Sequence, residues 1–125
     1  MSNDANKAAW RYDAKLDRVI DGDTVDAMID LGFNTHRSIR IRFHGINTPE
    51  SRTRDLSEKK RGKAATARLI EILAENDDAF VVQSLGVGKY GRCLGVLYVE
   101  SLGETSVQDT LIAEGHGVAY FGGKR

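Results

Sequence analysis

The first third of the chain alternates between apolar and polar residues with a period of two. Over residues 10–17 the apolar set is Trp10, Tyr12, Ala14 and Leu16, and the intervening residues are charged. This alternation is typical of a β-strand that buries one face. A second strand is predicted at residues 24–31, and a third has Ile39, Ile41 and Phe43 on one face and polar residues on the other.

After Pro49 the apolar residues change to a helical spacing. The residues that recur at this spacing are Ala65, Leu69, Ile72 and Leu73. They predict an amphipathic helix over about residues 58–75. Two further strands are predicted at residues 79–84 and 93–100. Thr105 or Ser106 can cap a last helix that runs through Glu114 and ends at Gly115.

This order of elements indicates the fold class. Three strands, a helix, two strands and a helix describe a mainly β protein with helices (α+β). The arrangement is that of a five-stranded OB-fold Greek-key barrel, with one helix between strands 3 and 4 and another at the C-terminal end. Such barrels often bind oligonucleotides, but a fold alone does not establish a function.

Composition narrows the class of protein. The chain has 125 residues, and we expect one domain over residues 1–125 with residues 1–9 flexible. The formal charge is zero, with 18 basic and 18 acidic residues, so any nucleic-acid binding must come from a local patch. Cys93 is the single cysteine, which excludes an internal disulfide. No signal peptide or membrane span is evident, and we expect an intracellular protein without membrane contact or an obligate protein partner.

Three short motifs carry candidate chemistry. The first, Asp21-Gly22-Asp23-Thr24, places two carboxylates around a glycine at a strand junction. Carboxylate oxygens in this arrangement can hold a hard cation. Asp-Gly is also a common hairpin turn pair, and the motif alone does not decide between the two interpretations.

The second motif is Asn47-Thr48-Pro49-Glu50, preceded by Arg42 on the third strand. Thr48 can be a helix N-cap with Pro49 at the first helical position and Glu50 favoured by the helix dipole. Arg42 can be one polar residue of a half-exposed strand. These structural interpretations compete with a catalytic one.

The third motif, Lys89-Tyr90-Gly91-Arg92, comes just before the fifth strand. A lysine charge, an aromatic face and a guanidinium fork suit a phosphate and a base. A polar loop with a glycine turn is the alternative.

In combination the three motifs resemble those of the staphylococcal nuclease family. That family's usual motifs read DGDTV, an arginine five residues before DTPE, and KYGR, in this order. The resemblance extends from about residue 15 to residue 120 and agrees with the predicted barrel. It implies a calcium-dependent endonuclease that hydrolyses the phosphodiester bonds of both DNA and RNA and leaves 3′-phosphate products.

The resemblance also implies roles for individual residues. Glu50 matches the family's general base, which activates or orients the attacking water. Arg42 and Arg92 match its two essential arginines, whose donors stabilise charge on the phosphate oxygens. Lys89 and Tyr90 are expected to contact the substrate beside the scissile bond. Tyr120 matches a stacking tyrosine, with a core aromatic as the alternative.

The implied metal site holds one Ca²⁺. Its ligands correspond to Asp23, the side chain of Asn47 and the backbone carbonyl of Thr48, with Asp21 orienting a bound water. Asn47 departs from the family's aspartate. An amide oxygen still ligates calcium, but the site has one formal charge fewer and is expected to bind the ion more weakly.

Two alternatives remain open. One is a weak or inactive nuclease-like domain that still binds nucleic acid. The other concerns residues 52–63, which hold six basic residues and two acidic ones. This segment can contact the nucleic-acid backbone beside the site, or it can be a solvated loop.

Overall fold

The computed structural model describes residues 10–88 and 91–120. In chain order, the strands in this part are β1 (Arg11–Asp21), β2 (Thr24–Asp30), β3 (His36–Phe43), β4 (Gly45–Asn47), β5 (Ala79–Val87), β6 (Cys93–Tyr98) and β7 (Val118–Tyr120). The helices are α1 (Leu56–Ala74) and α2 (Val107–Ala113), with a short 3₁₀ helix at Glu100–Leu102. None of these helices is long and apolar enough to cross a lipid bilayer.

Five strands close into a barrel in the order β1-β2-β3-β6-β5. All neighbouring strands are antiparallel except β3 and β6, which are parallel. Helix α1 connects the third and fourth strands of the barrel, and α2 follows the fifth. The predicted OB-fold barrel of the α+β class is therefore confirmed. Strands β4 and β7 pair as a separate two-stranded sheet beside it.

The core lies inside the barrel and under α1. The alternating residues Val25, Ala27 and Ile29 of β2 are buried, as the period-two pattern predicts. The four residues that predicted the helix are also buried in α1, so its apolar face closes one end of the barrel: Ala65, Leu69, Ile72 and Leu73.

Several predicted boundaries are wrong. Trp10 lies outside β1 with a positive φ and is 69% exposed, so it does not share the buried face of the strand. No helix begins at Thr48; α1 begins at Leu56, and its N-cap is Asp55, which accepts bonds from the backbone N–H groups of the first turn. The last barrel strand ends at Tyr98, before the 3₁₀ helix.

The N-cap of α2 is Ser106, whose hydroxyl accepts a bond from the Asp109 N–H. The buried Gln108 of this helix then fixes its packing. Its side-chain oxygen accepts from the Leu97 N–H, and its amide donates to the carbonyls of His44 and Gly95. These three bonds join α2 to β6 and to the turn that precedes β4.

The outer face of the barrel carries one ionic cluster, formed by Arg18, Asp26 and Arg40. The three residues lie opposite one another on β1, β2 and β3. Hydrogen bonds from Arg40, and then from Arg18, lower the pKa of the Asp26 carboxyl from its ordinary 3.8 to about 2. Asp26 therefore stays ionised in the folded protein under mildly acidic conditions.

This pKa shift predicts a pH-dependent contribution to stability. Because the folded pKa lies below the unfolded one, ionised Asp26 stabilises the fold above pH 3.8, and the contribution is lost as the pH falls towards 2. Asp26→Asn should therefore be less stable than the unmodified protein at neutral pH, and the difference should shrink as acid is added. Melting curves over this pH range test the prediction. Asp13→Asn, at an exposed aspartate of β1, is the control. A difference that does not change with pH would contradict it.

Candidate functional site

The turn between β1 and β2 places Asp23 at the end of the barrel. Asp21 pairs with Thr24, so Gly22 and Asp23 form the two-residue turn. The Thr24 hydroxyl donates to Asp23 Oδ1 at 3.0 Å, and the N–H and hydroxyl of Thr48 both donate to Oδ2 at 3.1 Å. Asp23 is thus held by three donors, two of which come from the segment after β4.

Arg42 lies beside Asp23, near the end of β3. Its Nη1 donates to the carbonyl of Phe43 at 2.7 Å, and its Nη2 donates to the carbonyl of Ile46 at 2.9 Å and to Asn47 Oδ1 at 2.7 Å. The same Nη2 lies 3.6 Å from Asp23 Oδ2, and 21% of the Arg42 side chain is exposed. The guanidinium is therefore fixed in place while part of it remains accessible.

Two side-chain oxygen atoms converge on the Arg42 guanidinium. Asp23 Oδ2 and Asn47 Oδ1 both lie within 3.6 Å of its Nη2, so the arginine itself lies between this carboxylate and this amide oxygen. Oxygen donors of this kind are the ligands that Ca²⁺ prefers. No group of three or more His, Cys, Asp or Glu side chains suited to a metal occurs in residues 10–88 and 91–120. Any metal site here would therefore depend on an amide or backbone oxygen as well as on carboxylates.

Asp21 has a different neighbour. Its Oδ1 accepts a bond from the Ser51 hydroxyl at 2.8 Å, which ties the start of the turn to the residue after Glu50. Asp21 thus stands beside the Glu50 segment, whereas Asp23 contacts Thr48.

Glu50 is exposed, but helix α1 fixes its backbone. The Glu50 N–H donates to Glu58 Oε2 at 3.2 Å. A Cβ on Gly62, one turn further along α1, would lie 2.5 Å from the Glu50 carbonyl carbon and 2.7 Å from the Pro49 oxygen. Any side chain at position 62 would therefore displace the Pro49–Glu50 backbone.

The same face of α1 also contacts the first hairpin. A Cβ on Gly22 would lie 2.9 Å from the Cβ of Ala65 and 3.0 Å from Thr48 Cγ2. One helix thus packs against both the Asp23 turn and the Glu50 segment, which sets their relative positions.

Arg92 is exposed and directly precedes β6. Strand β6 runs parallel to β3, with Cys93 opposite Ile41 and Leu94 opposite Arg42, so Arg92 comes two residues before the position opposite Arg42. Lys89 and Tyr90 of the same motif lie outside the described residues.

Tyr120 lies on β7, opposite Gly45 of β4, and is half-buried. It borders two clefts. A cleft of about 580 Å³ is also lined by Asn47, Thr48 and Arg61, and a smaller one of about 250 Å³ by Arg42 and Leu94. A larger hollow of about 680 Å³, around Asn76 and Tyr98, contains none of the predicted site residues.

Known proteins resemble this chain over most of its length. A model of the family described as staphylococcal nuclease homologue matches residues 40–125. The chain belongs to this family. It is 30% identical to endonuclease YhcR of Bacillus subtilis (strain 168) over 120 residues, which cover 91% of the chain and 9% of that protein.

Two further relatives support the membership. The chain is 31% identical to micrococcal nuclease of Shigella flexneri over 72% of its own length and 45% of that protein. It is also 31% identical to the SPbeta prophage-derived endonuclease YokF of Bacillus subtilis (strain 168), over 82% of its length and 32% of that protein. The chain thus spans less than half of each of these relatives.

The structure brings to the candidate site three residues that the sequence motifs did not indicate. Ser51, Glu58 and Gly62 contact Asp21 or the Glu50 backbone, as described above. Gly62 carried a weak signal, since a glycine inside a helix costs about 1 kcal/mol relative to alanine. The contacts of Ser51 and Glu58 join different elements, so no local sequence pattern predicts them.

The basic segment at residues 52–63 spans the loop before α1 and the first turns of that helix. Arg61 lines the cleft that also contains Asn47 and Thr48. Arg52 and Arg54 are exposed. One basic residue of the segment is thus at the site, while the contribution of the others to substrate binding stays a prediction.

The packing of Gly62 on Glu50 predicts the effect of one methyl group. In an unconstrained helix, Gly→Ala stabilises by about 1 kcal/mol, whereas overpacking costs about 1–3 kcal/mol. Gly62→Ala should therefore lower the free energy of unfolding despite its better helix propensity, and denaturant unfolding measures this. Ala64→Gly, at an exposed position of the same turn, reports the propensity effect alone. A stabilised Gly62→Ala protein would contradict the close contact.

Proposed function

We propose that this chain is a calcium-dependent endonuclease that hydrolyses the phosphodiester bonds of DNA and RNA and leaves 3′-phosphate products. The observation that carries the proposal is the fixed guanidinium of Arg42, which lies 3.6 Å from Asp23 and 2.7 Å from Asn47. A positively charged fork beside oxygen donors suits a phosphate group and a cation together. The names of the three relatives, all nucleases, support the same reaction class.

Arg42 would bind the scissile phosphate. As water attacks the phosphorus, negative charge grows on the phosphate oxygens, and a donor that is already in position stabilises it without rearrangement. The bonds from Arg42 to the carbonyls of Phe43 and Ile46 supply that preorganisation. Loss of one such donor typically costs about 3 kcal/mol of transition-state stabilisation, or a hundredfold or more in rate.

Glu50 would be the general base. Its exposed carboxylate is open to water, while Glu58 and Gly62 hold its backbone. A base must stay within hydrogen-bond reach of the water whose proton it takes, and a restrained backbone keeps it there. Arg92 would act as the second arginine and assist the departing 5′ oxygen. Lys89, Tyr90 and Tyr120 would contact the phosphate, sugar or base beside the scissile bond.

Asp23, Asn47 and the carbonyl of Thr48 would hold one calcium ion, with Asp21 orienting a water. When bound, calcium supplies positive charge beside the phosphate and so favours the developing negative charge. The protein side chains provide the remaining stabilisation, the proton acceptor and the orientation of the substrate.

A second function, a module that binds nucleic acid without cleaving it, is favoured by one observation. Asn47 replaces the aspartate of the family motif and removes one formal charge from the ligand set. The presence of Asp23, Arg42, Glu50 and Arg92 favours the enzyme.

Incubation with single-stranded DNA and with RNA, first in calcium and then in chelator, tests the proposed reaction. Cleavage should require calcium and should leave 3′-phosphate ends. Glu50→Gln removes the base and keeps the shape, so turnover should fall by about a hundredfold or more while substrate binding persists. Glu104→Gln, at an exposed glutamate outside the site, is the matched control.

Three results would contradict parts of the proposal. Binding without cleavage in calcium would indicate the binding module. Cleavage that persists unchanged in chelator would remove the metal from the proposal. Near-normal turnover of Glu50→Gln would mean that another group acts as the base.

Asn47→Asp tests the metal site directly. An added carboxylate strengthens the attraction for a divalent cation, so calcium affinity should rise. The Arg42 guanidinium, which already donates to Asn47, would offset part of the repulsion between the new charge and Asp23. Calorimetric titration with calcium measures the affinity without any dependence on turnover. Unchanged affinity would mean that residue 47 does not face the ion.

A further inference from the structure

The cluster formed by Arg18, Asp26 and Arg40 contains two positive charges and one negative charge. Arg40 donates from Nε and Nη2 to the two oxygens of Asp26 at 2.8 and 3.1 Å, and Arg18 donates from Nε at 3.0 Å. Two guanidinium groups thus share one carboxylate, and the cluster keeps a net positive charge. The chain as a whole has no net charge, so this excess is local.

Arg68 of α1 shows the opposite arrangement. This one arginine pairs with two carboxylates, those of Glu71 and Glu114. It joins α1 to the end of α2 and leaves no positive excess. Of these two clusters, only that of Arg18, Asp26 and Arg40 has more positive than negative groups.

The unused donors of the cluster face solvent. Arg18 uses only Nε, so both of its terminal nitrogens remain without a partner among the described residues, and Arg40 keeps Nη1. The Arg18 and Arg40 side chains are 65% and 42% exposed. Because Asp26 restrains both guanidinium groups, they would lose little further freedom on binding an anion.

Arg40 of the cluster lies on the same strand as Arg42. Arg40 and Arg42 are two residues apart on β3, so they project from the same face of the sheet at a spacing of about 7 Å. Arg18 lies across Asp26 from Arg40, on β1. The three arginines therefore form a path that leads away from the candidate site, from Arg42 along β3 to Arg40 and then across Asp26 to Arg18.

We propose that Arg18 and Arg40 form an accessory subsite that binds the sugar-phosphate backbone of the nucleic-acid substrate, beyond the phosphate bound at Arg42. Asp26 is the positioning residue that holds the two guanidinium groups in this path. The ligand is a phosphodiester chain of either DNA or RNA, since the contacts are to phosphates and not to bases. This subsite rests on the proposed function, because the path begins at the proposed scissile phosphate.

The salt dependence of oligonucleotide binding tests this subsite independently of cleavage at the candidate site. A labelled single-stranded oligonucleotide is titrated by fluorescence anisotropy at several salt concentrations, with chelator present and the oligonucleotide checked to be intact. For single strands, the slope of log K against log salt is negative, and each lost phosphate contact reduces its magnitude by about 0.7. Arg18→Ala and Arg40→Ala should each reduce the magnitude of the slope by this amount, and the double variant should reduce it by about twice as much.

Two control variants and a short ligand sharpen the test. Arg68→Ala removes an arginine of a structural network and should keep the slope of the unmodified protein. Replacing both Arg18 and Arg40 with lysine keeps the charges and should keep most of the slope. A dinucleotide is too short to reach from Arg42 to Arg18, so its affinity should not change in Arg18→Ala.

The outcomes distinguish the subsite from the nuclease proposal. An unchanged slope in the double alanine variant, or an equal loss in Arg68→Ala, would overturn the subsite even if the protein cleaves nucleic acid. A reduced slope in a protein that binds but does not cleave would support the subsite and overturn the nuclease. If the unmodified protein does not bind the oligonucleotide in chelator, the subsite is overturned, whereas the nuclease proposal is decided by the cleavage assay in calcium.

Discussion

The candidate site depends on how closely helix α1 approaches the end of the barrel. Gly62 leaves no room for a side chain against the Pro49–Glu50 backbone, and Ala65 Cβ lies 2.9 Å from the position that a Cβ on Gly22 of the first hairpin would take. The two segments are far apart in sequence and share no strand. The helix is therefore the common support that sets the distance between Asp23 and Glu50, and the burial of its apolar face holds it in place.

Arg42 completes this arrangement from the barrel side. Strand β3 brings it opposite Thr24, and the turn before β4 returns the chain so that the Ile46 carbonyl and Asn47 meet the guanidinium. The buried Gln108 holds the same turn through the His44 carbonyl. The geometry around the guanidinium is thus supported by the core, which explains how a partly exposed arginine can remain fixed.

The chain has no net charge, but its positive and negative groups are unevenly distributed. At the site, Arg42 is balanced in part by Asp23 and faces a neutral Asn47. On the outer face, two arginines, Arg18 and Arg40, share the single negative charge of Asp26. Arg68, in contrast, pairs with two glutamates where α1 meets the end of α2. Positive excess thus occurs at the cluster of Arg18, Asp26 and Arg40 and at residues 52–63, which hold six basic residues against two acidic ones. A polyanion would be attracted there without a basic surface over the whole molecule.

Patterns along the chain were sufficient to predict the barrel strands, the buried face of α1 and the family to which the motifs belong. Periodicity reports which face of an element is buried, and the burial of Ala65, Leu69 and Ile72 follows from it. Strands β4 and β7 escaped prediction because three residues are too few to show a period. Trp10 was misassigned because alternation cannot show where the backbone leaves the extended conformation.

The contacts between elements could not be predicted from such patterns. The bond from Glu50 to Glu58, the approach of Gly62, and the alignment of Arg18, Asp26 and Arg40 on three strands each join residues whose local patterns are unrelated. A local pattern records the preference of one element for burial or exposure. Which side chains meet across elements depends on strand register and helix packing, and these are set by the whole core at once.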